Sequence, residues 1–262
     1  MTSPPDAEIK LTRENPLNVG EAKRGPLAEL LISVRDQDEL LEVRKFPVGI
    51  IDLKEPQRGP LAPADVNLWR YSDQLWQQQV GGDPTVRLSA ALGEQAQARL
   101  VVTDLPGNFD FAKVGPSGCD TASSLCRLWD EIRSCLNDRT ELVAVAYADW
   151  RAANCLAPKA VFQLAKEYGF NRCLIDTYIK DGRSTIDHMG YQSLGDLHRI
   201  ACQQRLWWTL AGSIDASVVP VLHDLGWMPD CFGVRGDVCT GNRQTRISSP
   251  LVQAWCDRLG LV

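Results

Sequence analysis

The sequence predicts an α/β protein, a single (β/α)8 TIM barrel over residues 27–262 with an N-terminal extension over residues 1–26. Two observations carry that prediction. Eight short, almost wholly apolar runs recur along the chain, as strands buried on both faces require, and most are followed by a segment with helical apolar spacing. The competing arrangement is an open, doubly wound sheet. No G-x-G-x-x-G follows the first run, so nothing marks the dinucleotide site of that fold.

The elements follow in order. Residues 1–26 combine charge, Pro and Gly without apolar periodicity, the composition of a disordered or loosely draped extension. The first strand is expected at 27–34, and its helix at 36–45 carries Leu40, Leu41 and Val43. A second strand opens at Val48 and ends near Lys54, where Glu55-Pro56 interrupts it, and its helix at 64–79 presents Val66, Leu68, Trp69 and Trp76. The third strand, 85–92, is expected to stop at Gly93, and its helix is poorly marked. The fourth, 109–114, brings Lys113 to a strand terminus; Leu125, Leu128, Trp129 and Ile132 then recur at i, i+3, i+4 and i+7 in the helix at 123–136. A fifth strand at 142–148 ends at Asp149. Its helix has Pro158 in the first turn, an apolar stripe of Val161, Leu164, Ala165 and Tyr168, and Gly169 as a stop. Strands six, seven and eight are expected at 172–176, 207–211 and 231–234. A helix starting at Ser217 puts Pro220 in its first turn, where a missing N–H is harmless, and a helix at 251–259 closes the chain.

Composition narrows the function. The net charge is -5, and no block of Lys and Arg suggests a nucleic-acid or anionic-membrane surface, so a small-molecule partner is expected. The 9 cysteines form no C-x-x-C pair, and Cys173, Cys202 and Cys231 lie in apolar surroundings typical of reduced, buried thiols, which points to the cytoplasm. His188, His198 and His223 have no ligand-like spacing, so no dedicated metal site and no cofactor are expected. The first residues do not read as a signal peptide, and no apolar run approaches the roughly 18 residues of a membrane span. Self-association to a homo-oligomer is compatible with the sequence and is not specified by it.

A barrel places its chemistry where strands end. That rule gathers Asp52 and Lys54 from strand two, Lys113 from strand four, and Asp176 with Lys180 from strand six. Asp52 and Lys54 are two apart, so they leave the strand on one face. Each lysine alone is an ordinary surface residue. Crowded and partly buried together, such amines disfavour one another's charged forms, so one can be neutral near pH 7 and attack a carbonyl. The loops after strands seven and eight carry Gly212-Ser213 and Gly233-Val234-Arg235-Gly236, where small residues let backbone N–H groups approach a phosphate and Arg235 is expected to add a forked contact. The alternative use of Arg235 is to tie its loop to a nearby carboxylate such as Asp237. Gly212-Ser213 is no nucleophile elbow, and Trp207-Trp208 reads as packing.

Six ordered stretches resemble the motifs of the (5-formylfuran-3-yl)methyl phosphate synthase family. They are residues 50–56 around Asp52 and Lys54, 112–115 around Lys113, 145–149, 175–182 around Asp176 and Lys180, 210–213, and 233–239. The resemblance runs from residue 28 to about residue 247. It implies a TIM barrel that condenses two molecules of glyceraldehyde 3-phosphate, with loss of phosphate and water, to a phosphorylated furan aldehyde for methanofuran biosynthesis. By the same resemblance Lys54 is the Schiff-base lysine, Lys113 the proton acceptor, and Asp52, Asp176 and Lys180 supporting groups. Departures from the family pattern are Glu55 in place of a smaller polar residue, Tyr178, a shortened segment between strands three and four, and the N-terminal extension. Two other readings of the same residues are a class I aldolase-type enzyme acting on another phosphorylated aldehyde or ketose, and a catalytically silent barrel subunit.

Overall fold

The computed structural model describes residues 26–78 and 86–262. All but the last residue of the 1–26 extension therefore lies outside the described residues, as do the expected helix end at Gln79 and strand start at Thr85.

Eight strands, β1 (Glu29–Val34), β2 (Ile50–Leu53), β3 (Arg87–Glu94), β4 (Phe111–Gly115), β5 (Glu141–Tyr147), β6 (Arg172–Asp176), β7 (Trp207–Leu210) and β8 (Cys231–Val234), pair in parallel in chain order. The last returns to the first, Leu31 opposite Gly233, and closes the barrel. Among the described residues the alternating helices are α1 (Gln37–Val43), α2 (Val66–Gln77), α3 (Gln95–Val101), α4 (Ala122–Arg133), α5 (Pro158–Glu167), α6 (Thr185–Gln204), α7 (Val218–Leu225) and α8 (Ser249–Leu259). None is long and apolar enough to cross a membrane.

Strand periodicity divides the side chains between two compartments. Ile51 and Leu53 of β2, Ala112 and Val114 of β4, and Cys173 and Ile175 of β6 join the core between sheet and helices. Ile50, Phe111, Val143, Val145, Tyr147 and Leu174 turn into the barrel. Fully burying such a side chain is worth about 1.5–3 kcal/mol, so a one-residue slip that exchanged the compartments would be strongly opposed. The N-terminal end of the barrel is filled: the Arg172 guanidinium lies 4.6 Å from the Phe111 ring centroid and 4.2 Å from that of Trp207, and is paired with Glu141 at 3.1 Å. The same inward alternation delivers Asp52, Lys113 and Asp176 to the opposite, C-terminal end.

The structure departs from the sequence reading in three places. β3 does not stop at Gly93. That residue takes φ +91, and the register with β4 shifts between Ala91 and Glu94, so a bulge carries the strand to Glu94. Glu94 then caps α3 reciprocally with Gln97, and only Ala98 of this short helix is buried, which is why no apolar stripe marked it. Of the three thiols expected to be buried, Cys173 and Cys231 are, whereas Cys202 is exposed on α6, its Sγ 3.5 Å from His198 Nε2.

Candidate active site

At the C-terminal end of the barrel, β2, β4, β6, β7 and β8 converge on a cavity of about 360 Å³. The inward alternation Ile50, Asp52, Lys54 delivers the acid and the amine of β2 to it. Asp52 is held on both oxygens: Ser33 Oγ donates to Oδ2 at 3.1 Å, and Lys113 Nζ lies 2.6 Å from Oδ1, placed as an ion pair rather than a directed hydrogen bond. On the far wall, Lys180 Nζ donates to Asp176 Oδ1 at 2.5 Å and to Thr177 Oγ1 at 2.9 Å, while the Thr177 N–H donates to the same Asp176 oxygen at 2.7 Å. The structure thus brings Asp52, Lys54, Lys113, Asp176 and Lys180 to one cavity.

The lysines divide into two kinds. Lys113 and Lys180 are each paired with a carboxylate. Lys54 Nζ has no hydrogen-bond or ion-pair partner among the described residues, although the residue is only 8% exposed. Burial, reinforced by the cationic Lys180 and Arg243, lowers its pKa to about 7 against the attraction of Asp176 and Asp52. Burial also lowers the Lys180 pKa, more than its own carboxylate partner restores. For Asp176, burial pushes the pKa up, but Lys180, Lys54 and the Thr177 N–H outweigh it and bring the carboxyl down to about 2. The result is a carboxyl held in its ionised form beside a buried amine that loses its proton far more readily than an ordinary lysine.

A family model described as 4-HFC-P synthase matches residues 30–256. The chain belongs to the 4-HFC-P synthase family. Curated relatives named (5-formylfuran-3-yl)methyl phosphate synthase include one from Methanosarcina acetivorans, 30% identical over 234 residues that cover 86% of this chain and 96% of the relative. Another, from Methanopyrus kandleri, is 30% identical over 236 residues, 88% of this chain and 98% of the relative. Among solved structures, 3-hexulose-6-phosphate synthase superposes with a TM-score of 0.53 at 11% identity, covering 88% of this chain and 98% of that one, a likeness of fold alone.

Within this synthase-family barrel, Gly212 and Ser213 after β7, Gly233 within β8 and Gly236 after it line the cavity. Gly212, at φ +90, is required by its surroundings: a Cβ there would sit 2.3 Å from Thr185 Oγ1 and 2.8 Å from the Thr177 nitrogen. Arg235 needs a correction. Its guanidinium is not offered to a ligand, because it donates to both carboxylate oxygens of Glu39, to Ser33 O at 2.9 Å, to Arg243 O at 2.9 Å and to Thr245 O at 3.2 Å. Those bonds occupy all of its N–H groups. The tie to a carboxylate exists, but the partner is Glu39. Asp237 instead accepts from Ala216 N at 3.1 Å and Trp255 Nε1 at 2.7 Å.

Two residues escaped the sequence reading. Asp149 accepts the Tyr178 and Ile179 N–H groups, both at 2.7 Å, and so fixes the turn that carries Lys180; its place after a strand was visible, its long-range partners were not. Arg243 reaches the cavity from the loop between β8 and α8, where no motif marks it. The two side chains that depart from the family pattern, Glu55 and Tyr178, are not among the residues that line the cavity. Glu55 accepts the Gln57 N–H at 2.8 Å, and the Tyr178 ring packs 5.4 Å from that of Tyr147.

Proposed function

We propose that this chain is a (5-formylfuran-3-yl)methyl phosphate synthase of methanofuran-type cofactor biosynthesis. It joins two molecules of glyceraldehyde 3-phosphate through a Schiff base on Lys54, losing phosphate and water, and releases 4-(hydroxymethyl)-2-furancarboxaldehyde phosphate. The observation that carries the reading is the buried Lys54 amine, without an acid partner and with its pKa lowered to about 7, between two fixed acid–amine pairs. Neutral Lys54 attacks the aldehyde carbon, and the carbinolamine loses water to the imine. Lys113, which can pass a proton to Asp52 at 2.6 Å, accepts one from the carbon next to the imine, and the resulting enamine expels its β-phosphate. Lys180, poised against Asp176, protonates departing oxygens in the later dehydration and ring closure. In this reading the enzyme works in the cytoplasm, which its free cysteines support, and its partner is the small phosphorylated aldehyde.

The same amines would serve a class I aldolase, so the product decides. Purified full-length protein supplied with glyceraldehyde 3-phosphate should generate a furan ultraviolet chromophore together with one inorganic phosphate per product. An aldol product that keeps both phosphates, or no turnover at all, would refute the synthase assignment.

A further inference from the structure

The charges lining the cavity do not balance locally. Lys113 is matched by Asp52, Lys180 by Asp176 and Arg235 by Glu39. Asp215 and Asp237 are engaged with backbone N–H groups, the latter also with Trp255. Among the described residues this leaves Lys54, the nucleophile, and Arg243 as cavity cations without a carboxylate partner. Arg243 is half-buried, and among the described residues its guanidinium makes one hydrogen bond, from Nη2 to Gly59 O at 3.3 Å, so most of the side-chain N–H groups are uncommitted. It also adjoins the glycine loop: a Cβ on Gly236 would meet the Arg243 Cβ at 3.8 Å.

Arg243 is placed by a clasp. Arg235 donates to the carbonyls of Arg243 and Thr245, and is itself gripped by Glu39 of α1. Arg35 adds a bond to Gln244 O. Within the loop, Thr240 N bonds Arg246 O at 3.0 Å and Gly241 N bonds Thr245 Oγ1 at 3.0 Å. Of three successive loop residues, Gln244 is tied directly to Arg35 from the opposite end of the chain, and Arg243 and Thr245 are tied through Arg235 to Glu39.

We infer that Arg243, rather than Arg235, is the guanidinium that binds the substrate's phosphate, and that Arg235 with Glu39 is a positioning clasp acting through the Arg243 backbone. The inference rests on the phosphorylated substrate of the proposed function and deepens it. A guanidinium offers paired donors to phosphate oxygens, and Gly236 beside it gives the ligand close access to the loop backbone.

The test is calorimetric titration of the full-length protein with inorganic phosphate, which needs no turnover. Arg243→Gln should weaken the phosphate Kd by roughly 10- to 150-fold, the range of a charge-assisted contact. Glu39→Gln should weaken it as well. The double variant should bind no more weakly than Arg243→Gln alone, because a clasp that works through Arg243 has nothing left to position. Should Glu39→Gln not fold, Arg35→Gln takes its place in the cycle. Equal Kd values for the parent and Arg243→Gln, or no phosphate binding by the parent, would overturn the assignment of Arg243. Additive losses in the double variant would overturn the clasp. The synthase reading fails separately: furan formation with an unchanged phosphate Kd in Arg243→Gln refutes only Arg243, whereas a shifted Kd with no furan product upholds Arg243 and refutes the reaction.

Discussion

Lys54, the proposed nucleophile, carries its lowered pKa at the expense of the fold. Its pKa falls from 10.5 to about 7 because the folded chain buries the ammonium without a partner. Between those two values the unfolded chain holds a proton that the folded one lacks, so stability rises with pH across that window, and below it the full penalty applies. At 1.36 kcal/mol per unit, the penalty near pH 6 is roughly 3–5 kcal/mol. Lys54→Met should therefore be inactive yet more stable than the parent near pH 6, with the difference shrinking as pH rises toward 10.5. Guanidinium unfolding of both proteins across that pH range checks this; a variant that is less stable near pH 6 would show that the amine is not held at such a cost. Arg235 and Arg243 illustrate what local sequence conceals. Glycines on both sides make Arg235 look like a phosphate ligand, but its partner Glu39 lies 196 positions away in the chain. Arg243 has no flanking signal at all.

Single elements were legible to the degree that burial wrote a periodic pattern into them. β6 and β8 fall where their apolar runs fall, and Ser217 immediately precedes α7, with Pro220 in its first turn. α3 was obscure because Glu94 and Gln97, not a Ser or Thr, cap a helix with one buried residue. The β3 bulge was hidden because Gly93 reads as a stop, whereas its positive φ lets the strand shift register and continue. A glycine's role can likewise be separated by substitution. Gly182→Ala, at φ +95 with open space around the new Cβ, should cost only backbone strain, about 1–3 kcal/mol. Gly212→Ala adds a collision with Thr185 Oγ1 and the Thr177 nitrogen, so it should lower the melting temperature further and displace the turn carrying Lys180. Equal melting temperatures for the two variants would mean that β7 and β6 do not approach as closely as described.

At the scale of the whole molecule, closing eight strands in chain order puts β8 beside β1. That closure lets Arg235 reach Glu39, and it leaves one end of the barrel plugged by Arg172 between aromatic rings while the other gathers the amines and acids. The barrel and five of the charged residues of its cavity, Asp52, Lys54, Lys113, Asp176 and Lys180, could be read from apolar runs and strand-end positions. Which amine stands unpaired could not, since that depends on pairings between β2 and β4 and within the turn after β6.

The proposed chemistry turns on Lys54. Sodium borohydride added to the protein with glyceraldehyde 3-phosphate should reduce an imine to a stable secondary amine, and peptide mass mapping should place the added mass on Lys54. Modification of Lys113 or Lys180 with Lys54 untouched, or no adduct on any lysine, would contradict it.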